Sequence, residues 1–210
     1  MAGAELTTDR FTLSSAIMIE APQTWRPALA YAWLVPTRVS AGILLFRRSG
    51  GLLEVLLGHP GGPFFGRKDV GNWSIPKGET SPSDRALELT ARREFEEETG
   101  HPVPGGQLID LGWIKQKGGK IVYAWAAEGD LDPAAAISNT FSFEWPPFSG
   151  RMREYPEIDR VAWYDPVESR SHIKPAQIPF LDRLEDSILG ATPSEPLPFS
   201  GSRIDRPGEP

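Results

Sequence analysis

Residues 93–100 read REFEEETG and carry more structural information than any other stretch of the chain. A helix advances about 100° per residue, which places Glu98 about 40° from Glu94 on one side and Glu97 about 60° from it on the other. These three glutamates therefore share one arc, at spacings i, i+3 and i+4. Glu96 points away, at about 200°, and is expected to be an ordinary solvated residue.

The simplest interpretation of a glutamate run is a solvated helix face, and three observations weigh against it. Like charges at these spacings cost about 0.2–0.5 kcal/mol per pair. Carboxylates near a helix C-terminus oppose the macrodipole by about 0.3–1 kcal/mol each. The arc also overlaps the apolar stripe of Leu87, Ala91 and Phe95, whereas a solvated face should lie opposite that stripe. A bound divalent cation would relieve all three problems, and clustered carboxylate oxygens suit Mg²⁺ or Mn²⁺.

The helix that holds this arc is predicted over residues 84–99. Ser83 or Asp84 is placed to act as its N-cap, and Gly100 with Pro102 beyond it supplies the stop. In chain order, the remaining pattern predicts a hairpin of residues 39–46 and 52–57, a short strand over 73–75, a second hairpin of 108–117 and 120–128, a loop over 130–153, a strand over 160–164, a short helix that opens at Asp165-Pro166 and a helix over 178–189. This combination predicts a mixed sheet with helices packed on it.

Composition and charge limit the kinds of protein and of site. The 210 residues suit one domain with extensions, and we divide the chain into an N-terminal extension (1–36), a domain (37–190) and a disordered tail (191–210). The formal net charge of −6 disfavours duplex nucleic acid and anionic membranes as partners. With no cysteine and only 3 histidines, which lack H-x-x-x-H spacing, any catalytic metal must be bound by oxygen ligands. The lack of cysteine also fits a cytoplasmic location.

Residues 73–79, WSIPKGE, followed by residues 93–100, resemble the Nudix box. The family pattern is G-x5-E-x7-R-E-U-x-E-E-x-G-U, with U an apolar residue, and its R-E-U-x-E-E-x-G half matches in full. The resemblance extends over residues 39–184 and is strongest to a bacterial, MutT-like subgroup of predicted NTP pyrophosphohydrolases. That subgroup is similar in turn to dinucleoside polyphosphate hydrolases such as bis(5'-nucleosyl)-tetraphosphatase. Segments of this chain that resemble the subgroup are 40–44, 116–120, 138–141, 144–147 and 155–159.

The box departs from the family pattern around its first glutamate and at its end. Counting from Gly78, the position of that glutamate is Asp84, and the segment from there to Arg93 is one residue too long. His101 stands where an apolar residue is usual. In the family the first glutamate is largely a structural partner, so these departures concern the geometry of the loop more than the chemistry.

The resemblance implies a Nudix-like α/β/α sandwich with a mixed β-sheet. It also implies that Glu94, Glu97 and Glu98 bind Mg²⁺, or Mn²⁺, and that one of them orients the attacking water. The backbone carbonyl of Lys77 is expected to be a further metal ligand. Arg93 is expected to orient one carboxylate through a bidentate pair, and its alternative role is a surface ion pair. Catalytic roles are therefore expected for Glu97, Glu98 and Arg93.

A further carboxylate and a set of lysines complete the expected site. Glu157 precedes the last strand, where related enzymes often place a metal ligand or a base; the alternative is a surface glutamate after a proline turn. The candidates for phosphate binding are Lys77, Lys115, Lys117 and Lys120. The last three surround the Gly118-Gly119 turn, which would let a phosphate approach closely. Their alternative role is solubility.

Together these expectations describe a Mg²⁺-dependent enzyme whose partner is a small-molecule nucleotide. It would hydrolyse a phosphoanhydride bond in a nucleoside diphosphate linked to another moiety, as in a nucleoside triphosphate or a dinucleoside polyphosphate. Two alternatives stay open: a catalytically silent Nudix domain that senses a nucleotide, and a hydrolase of a non-nucleotide diphosphate such as an isoprenoid or inositol compound. The silent domain is the weaker alternative, because none of the metal-binding glutamates is lost.

Overall fold

The computed structural model describes residues 38–81 and 83–190. The predicted extension (1–36) and tail (191–210) lie outside the described residues, and the division of the chain at these points stays a prediction. The strands are β1 (Val39–Ser49), β2 (Leu52–Pro60), β3 (Lys77–Glu79), β4 (Ile109–Lys115), β5 (Ile121–Glu128), β6 (Thr140–Glu144), β7 (Met152–Pro156) and β8 (Ile158–Tyr164). The helices are α1 (Leu87–Thr99), α2 (Pro166–His172) and α3 (Ile178–Leu189). None of these helices is long and apolar enough to cross a membrane.

The main sheet mixes parallel and antiparallel pairing, as predicted. Its strand order is β4-β5-β1-β2-β8, and β3 pairs with the N-terminal part of β1. β1 runs parallel to β5 and antiparallel to β2 and β3. The central position of β1 explains its long buried run, because a strand covered on both faces has no solvent side that calls for polar residues.

Apolar layers cover the two faces of this sheet. Ile43 and Leu45 of β1 pack with Phe95 of α1 on one face, while Leu44 packs with Phe180 of α3 on the other. Successive residues of a strand point to opposite faces, so the same strand supplies both layers. Each of these side chains is fully buried, and the arrangement is the predicted α/β/α sandwich.

Most of the predicted elements are present in the structure. Both hairpins form, as β1–β2 and β4–β5, and the last helix has the predicted bounds. Asp165 caps α2 by accepting hydrogen bonds from the backbone N–H groups of Val167 and Glu168. Gly100 ends α1 in the left-handed conformation, with φ of 74°, which is the C-terminal stop that the sequence predicts.

Two predictions about the connecting segments are wrong. Residues 130–153 are not a loop, because they contain β6 and the start of β7, which pair in a separate two-stranded sheet. The strand near the box is β3 rather than residues 73–75, which form only isolated bridges. In both places a proline next to the strand obscured it: Pro146 follows β6 closely and Pro76 directly precedes β3.

The start of α1 also differs from the prediction. The helix begins at Leu87 rather than at residue 84, and its N-cap, Ala86, makes no side-chain cap. Asp84 instead accepts hydrogen bonds from the backbone N–H of Ser81 at 2.7 Å and from Thr90 Oγ1 at 2.8 Å. Its carboxylate therefore connects the turn that precedes α1 with the first turn of the helix.

Candidate active site

The C-terminal half of α1 presents its glutamates as the helical wheel predicts. Glu94 and Glu98 are buried, each with 7% of its surface exposed, whereas the side chain of Glu97 is 41% exposed. Glu96 is exposed. The two buried carboxylates lie next to the fully buried Phe95, so their side of the arc lies at the edge of the apolar layer, whereas Glu97 is on its solvent side.

Arg93 connects three carboxylates on and before α1. Its Nη1 lies 2.7 Å from Glu94 Oε1 and donates to Glu97 Oε2 at 3.0 Å. Its Nη2 donates to Asp84 Oδ2 at 3.2 Å and to the backbone carbonyl of Glu79 at 3.3 Å. One guanidinium therefore orients two of the expected metal ligands and ties them to the end of β3.

Asp84 stands where the box pattern has its first glutamate, and it still reaches Arg93. Burial alone would raise the pKa of Asp84, but hydrogen bonds from Ser81, Thr90 and Arg93 outweigh burial and lower it. The segment between positions 84 and 93 includes a non-helical turn before Leu87, which accommodates the additional residue. The shorter side chain of Asp84 thus still pairs with Arg93, which is the structural role that the family pattern implies for its first glutamate.

β3 lies against the carboxylates of α1. The backbone N–H of Lys77 donates to Glu98 Oε2 at 2.8 Å. Lys77 pairs with Gly42 of β1 at a position between ladder hydrogen bonds, so its N–H and C=O both point away from β1 and toward α1. The neighbouring Gly78 packs directly under Glu94, since a Cβ at this position would fall well inside contact distance of Glu94 Oε2.

Glu157 is tied to the end of α1 through Asn139. The N–H of Asn139 donates to the Glu97 carbonyl at 2.8 Å, and its carbonyl accepts from the Glu157 N–H at 3.0 Å. The Asn139 side chain donates to Glu157 Oε1 at 3.4 Å. Sequence analysis missed Asn139, although it belongs to the segment 138–141, whose likeness to the Nudix subgroup was the available signal.

Burial raises the pKa of both inward-facing glutamates. Burial, together with the negative charges of Glu157 and Glu94, raises the pKa of Glu98 to about 8. The positive charge of Lys77 and the hydrogen bond from its N–H lower the pKa of Glu98 and so oppose the rise. For Glu94 burial again raises the pKa, Arg93 opposes the rise, and neighbouring carboxylates increase it. The carboxylates are therefore close enough to repel one another, and a positive charge among them would lower their pKa values.

The types of donor at this site fit a divalent cation. Glu94, Glu97 and Glu98 each have one oxygen held by Arg93 or by the Lys77 N–H, and a second that forms no hydrogen bond with any described residue. Carboxylate and carbonyl oxygens are the ligands that Mg²⁺ prefers. No three His, Asp or Glu side chains within residues 38–81 and 83–190 converge on one metal position, and Arg93 contacts two of these three carboxylates. Coordination by all three therefore requires a change of their rotamers.

The structure brings two of the four predicted phosphate-binding lysines to this site. The positive charge of Lys120 acts to lower the pKa of Lys77, and Lys120 Nζ lies 3.3 Å from Glu79 Oε1. Lys115 and Lys117 are exposed, and within the described part of the chain no contact connects either side chain to the carboxylates. Their role in phosphate binding stays a prediction.

Lys174 is a cation at this site that sequence analysis missed. Its backbone N–H donates to the Trp73 carbonyl at 2.8 Å, which fixes the α2–α3 connection beside the segment that leads into β3. Burial lowers the pKa of Lys174 to about 8, and the charges of Lys77 and Lys120 act in the same direction. No local pattern could have identified Lys174, because only the tertiary fold brings it to β3.

Comparison with known proteins identifies the family and the fold. A family model described as the NUDIX domain matches residues 36–184. The fold is similar to that of the NUDIX domain of Shewanella oneidensis NrtR complexed with ADP ribose, with a TM-score of 0.53, 16% identity, and coverage of 78% of this chain and 99% of that chain. It is also similar to a C. elegans Ap4A hydrolase binary complex, with a TM-score of 0.51, 18% identity, and coverage of 72% and 98%. At these identities the likeness concerns the fold alone. No curated protein matches the chain.

Proposed function

The chain belongs to the Nudix hydrolase family, and from this premise we propose that it hydrolyses a phosphoanhydride bond in a nucleotide in the presence of Mg²⁺. The proposed substrates are nucleoside diphosphates linked to another moiety, in particular nucleoside triphosphates and dinucleoside polyphosphates. One observation carries the proposal: the carboxylates of Glu94 and Glu98 are buried against the backbone of β3, where an uncompensated pair of charges is costly.

The divalent cation is assigned to Glu94, Glu97, Glu98 and the backbone carbonyl of Lys77, with Mn²⁺ as an alternative to Mg²⁺. When bound, such a cation neutralises phosphate oxygens and lowers the pKa of a bound water. The contribution of Arg93 is to restrict the carboxylates of Glu94 and Glu97, because it contacts both. Gly78 contributes by leaving room for the Glu94 carboxylate.

Three carboxylates are candidates for the group that accepts a proton from the attacking water: Glu97, Glu98 and Glu157. Glu157 is held by Asn139 through one oxygen, and its charge acts on both Glu94 and Glu98. A carboxylate that is fixed by one hydrogen bond and close to the other acidic groups is well placed for general-base chemistry.

The binding of negative charge on the substrate is assigned to lysines: Lys77, whose N–H contacts Glu98, and Lys120, which pairs with Glu79 of β3. Each ammonium offsets part of the phosphate charge that would otherwise repel the incoming water. Lys115 and Lys117 remain candidates on the same hairpin. The proposed place of action is the cytoplasm, which agrees with a chain that has no cysteine.

The test is a screen of the purified full chain with Mg²⁺ or Mn²⁺, in which products are identified by mass spectrometry. The panel contains nucleoside triphosphates, dinucleoside polyphosphates, nucleotide sugars, oxidised nucleotides, and isoprenoid and inositol diphosphates. We expect turnover of at least one nucleotide that EDTA abolishes. Nucleotide binding without turnover would favour a sensing domain, and turnover of the non-nucleotide diphosphates alone would favour the third candidate; either result contradicts the proposal.

A further inference from the structure

Two buried polar atoms have no hydrogen-bond partner in the described part of the chain: Ser40 Oγ, on the strand that pairs with β3, and Gln116 Nε2, directly after β4. Ser40 is fully buried. Buried polar groups in folded proteins are almost always paired, and an unpaired one calls for an explanation. Both atoms can donate a hydrogen bond, so they fit a ligand that carries acceptor oxygens.

The register of the sheet places Ser40 on the same face as the side chain of Lys77. Ser40 lies opposite Glu79 of β3, and residues directly opposite each other project to the same face. Lys77 lies two residues before Glu79, so its side chain shares that face. The backbone of Lys77 thus faces the carboxylates of α1, while its side chain belongs to the face that α3 covers.

The same register argument adds Gln116 and Lys120. Ser40 pairs with Val122 of β5, and Val122 pairs with Ile114 of β4. Lys120 and Gln116 lie two residues beyond these positions and are joined by a hydrogen bond from the Gln116 N–H to the Lys120 carbonyl at 2.8 Å. Both side chains therefore lie on the face that Ser40 and Lys77 occupy.

Lys174 approaches this face from the α2–α3 connection. Residue 173 bridges residue 73, the Lys174 N–H binds the Trp73 carbonyl at 2.8 Å, and Gln177 Oε1 accepts from the Ile75 N–H at 3.1 Å. The segment thus runs alongside residues 73–75 and leads Lys174 to Lys77. Within the described residues neither lysine side chain forms an ion pair.

We propose that the lysine cluster, defined as Lys77, Lys120 and Lys174, acts with Ser40 and Gln116 to bind the phosphates that lie beyond the bond being cleaved. The site has only lysines as its charged side chains apart from Glu79, which is shared between Lys120 and Arg38. It therefore selects a polyanion, and its substrates are nucleotides with three or more consecutive phosphates in preference to those with two. This inference rests on the proposed function and names the substrate class of that site.

Two features of the geometry support this assignment. Lys77 connects the carboxylates of α1 with the lysine cluster, because its N–H contacts Glu98 and its side chain belongs to the cluster. A polyphosphate bound at the carboxylates therefore has to pass only one residue of β3 to reach the cluster. Ser40 Oγ and Gln116 Nε2 are buried donors without a partner in the described part of the chain, so a ligand oxygen that reaches either atom supplies the hydrogen bond that it lacks. The ammonium groups of the cluster bind phosphate oxygens directly and require no metal to do so.

The test is calorimetric titration of the purified full chain with inorganic tripolyphosphate and with pyrophosphate, at low salt and in EDTA. Removing the divalent cation isolates the lysine cluster from the carboxylates. We expect tripolyphosphate to bind more tightly than pyrophosphate, Lys174→Ala to weaken tripolyphosphate binding about tenfold, and Ser40→Ala and Gln116→Leu each to weaken it about fivefold. Ser40→Ala removes only a hydroxyl with no partner, so the fold is expected to survive, and thermal unfolding checks this.

The matched control is Arg48→Ala, which removes one exposed positive charge at the far end of β1 and should leave tripolyphosphate binding unchanged. The inference is overturned if wild-type protein does not bind tripolyphosphate in EDTA, or if Lys174→Ala or Ser40→Ala binds it as tightly as Arg48→Ala does. The proposed function fails separately, because it requires turnover with Mg²⁺. Glu97→Gln distinguishes the two, since it should reduce turnover about 100-fold or more and leave tripolyphosphate binding in EDTA intact.

Discussion

The carboxylate of Glu94 lies directly on the backbone of Gly78, and there is no room for a Cβ between them. A side chain at position 78 would have to push α1 away from β3 or turn Glu94 out of the site. We predict that Gly78→Ala lowers kcat at least about tenfold and destabilises the fold by about 1–3 kcal/mol, because a small-to-large change at a packed position forces a shift of backbone or side chain.

Turnover and urea denaturation of the same protein preparation measure both effects of Gly78→Ala. Gly66→Ala is the matched control, since a Cβ at Gly66 meets no atom within 4 Å. If Gly78→Ala kept the wild-type kcat, Glu94 would not need its observed position, and its assignment to the metal would be wrong.

Glu97 and Glu98 offer the most direct test of the metal assignment. We predict that Glu97→Gln and Glu98→Gln each reduce kcat about 100-fold or more, because an amide keeps the shape of the side chain but loses the charge that binds a cation or accepts a proton. The measurement is steady-state turnover on the best substrate of the screen, together with Mg²⁺ binding by calorimetry.

Glu96→Gln is the control for these variants, because Glu96 is exposed on the other side of the same helical turn. It should turn over substrate at the wild-type rate. Near-normal turnover by either of the two site variants would mean that the carboxylate arc is not the catalytic centre.

The carboxylate arc could be predicted from the sequence because it depends only on the geometry of one helix. Spacing alone places Glu94, Glu97 and Glu98 together, and the overlap with the apolar stripe predicts the burial of Glu94 and Glu98 that the structure shows. The hairpins and α3 were predictable for the same reason, since turn residues and a helical period are local signals.

The rest of the site depends on contacts between distant segments, for which a single sequence carries no signal. Lys174 reaches β3 through the pairing of residues 173 and 73, and Ser40 gains its place through the register of β1 with β3 and β5. The hairpin of β6 and β7 was missed for another reason: each strand has only 5 residues, and the prolines at positions 146 and 147 favoured a loop although Phe141 and Phe143 alternate with polar residues.

Arg93 predicts a difference between arginine and lysine at one position. Its guanidinium contacts Asp84, Glu94 and Glu97 at once, a fork that the single ammonium of lysine cannot reproduce. We predict that Arg93→Lys lowers kcat/KM about tenfold or more while the net charge is unchanged. Arg92→Lys is the control, because Arg92 forms a partly exposed i,i+4 pair with Glu88, which contributes about 0.3–0.5 kcal/mol. If the two variants had the same kcat/KM, Arg93 would act only as a surface ion pair.

Asp84 predicts how stability depends on pH. Burial would raise the pKa of Asp84, but its hydrogen bonds from Ser81, Thr90 and Arg93 hold the folded-state pKa below the ordinary value of 3.8. The unfolded chain therefore binds a proton at a higher pH than the folded chain does. It follows that the stability due to Asp84 is fully present above the unfolded pKa and is lost as pH falls through the folded pKa.

Asp84→Asn should remove this dependence, because asparagine has nearly the same size and does not titrate. We expect wild type to be more stable than Asp84→Asn at pH 7, with a difference that shrinks as the pH is lowered from 5 toward 3. Urea denaturation in EDTA at several pH values measures the difference without interference from metal binding. A stability difference that stayed constant over this range would show that Asp84 stabilises the turn before α1 by its shape and not by its charge.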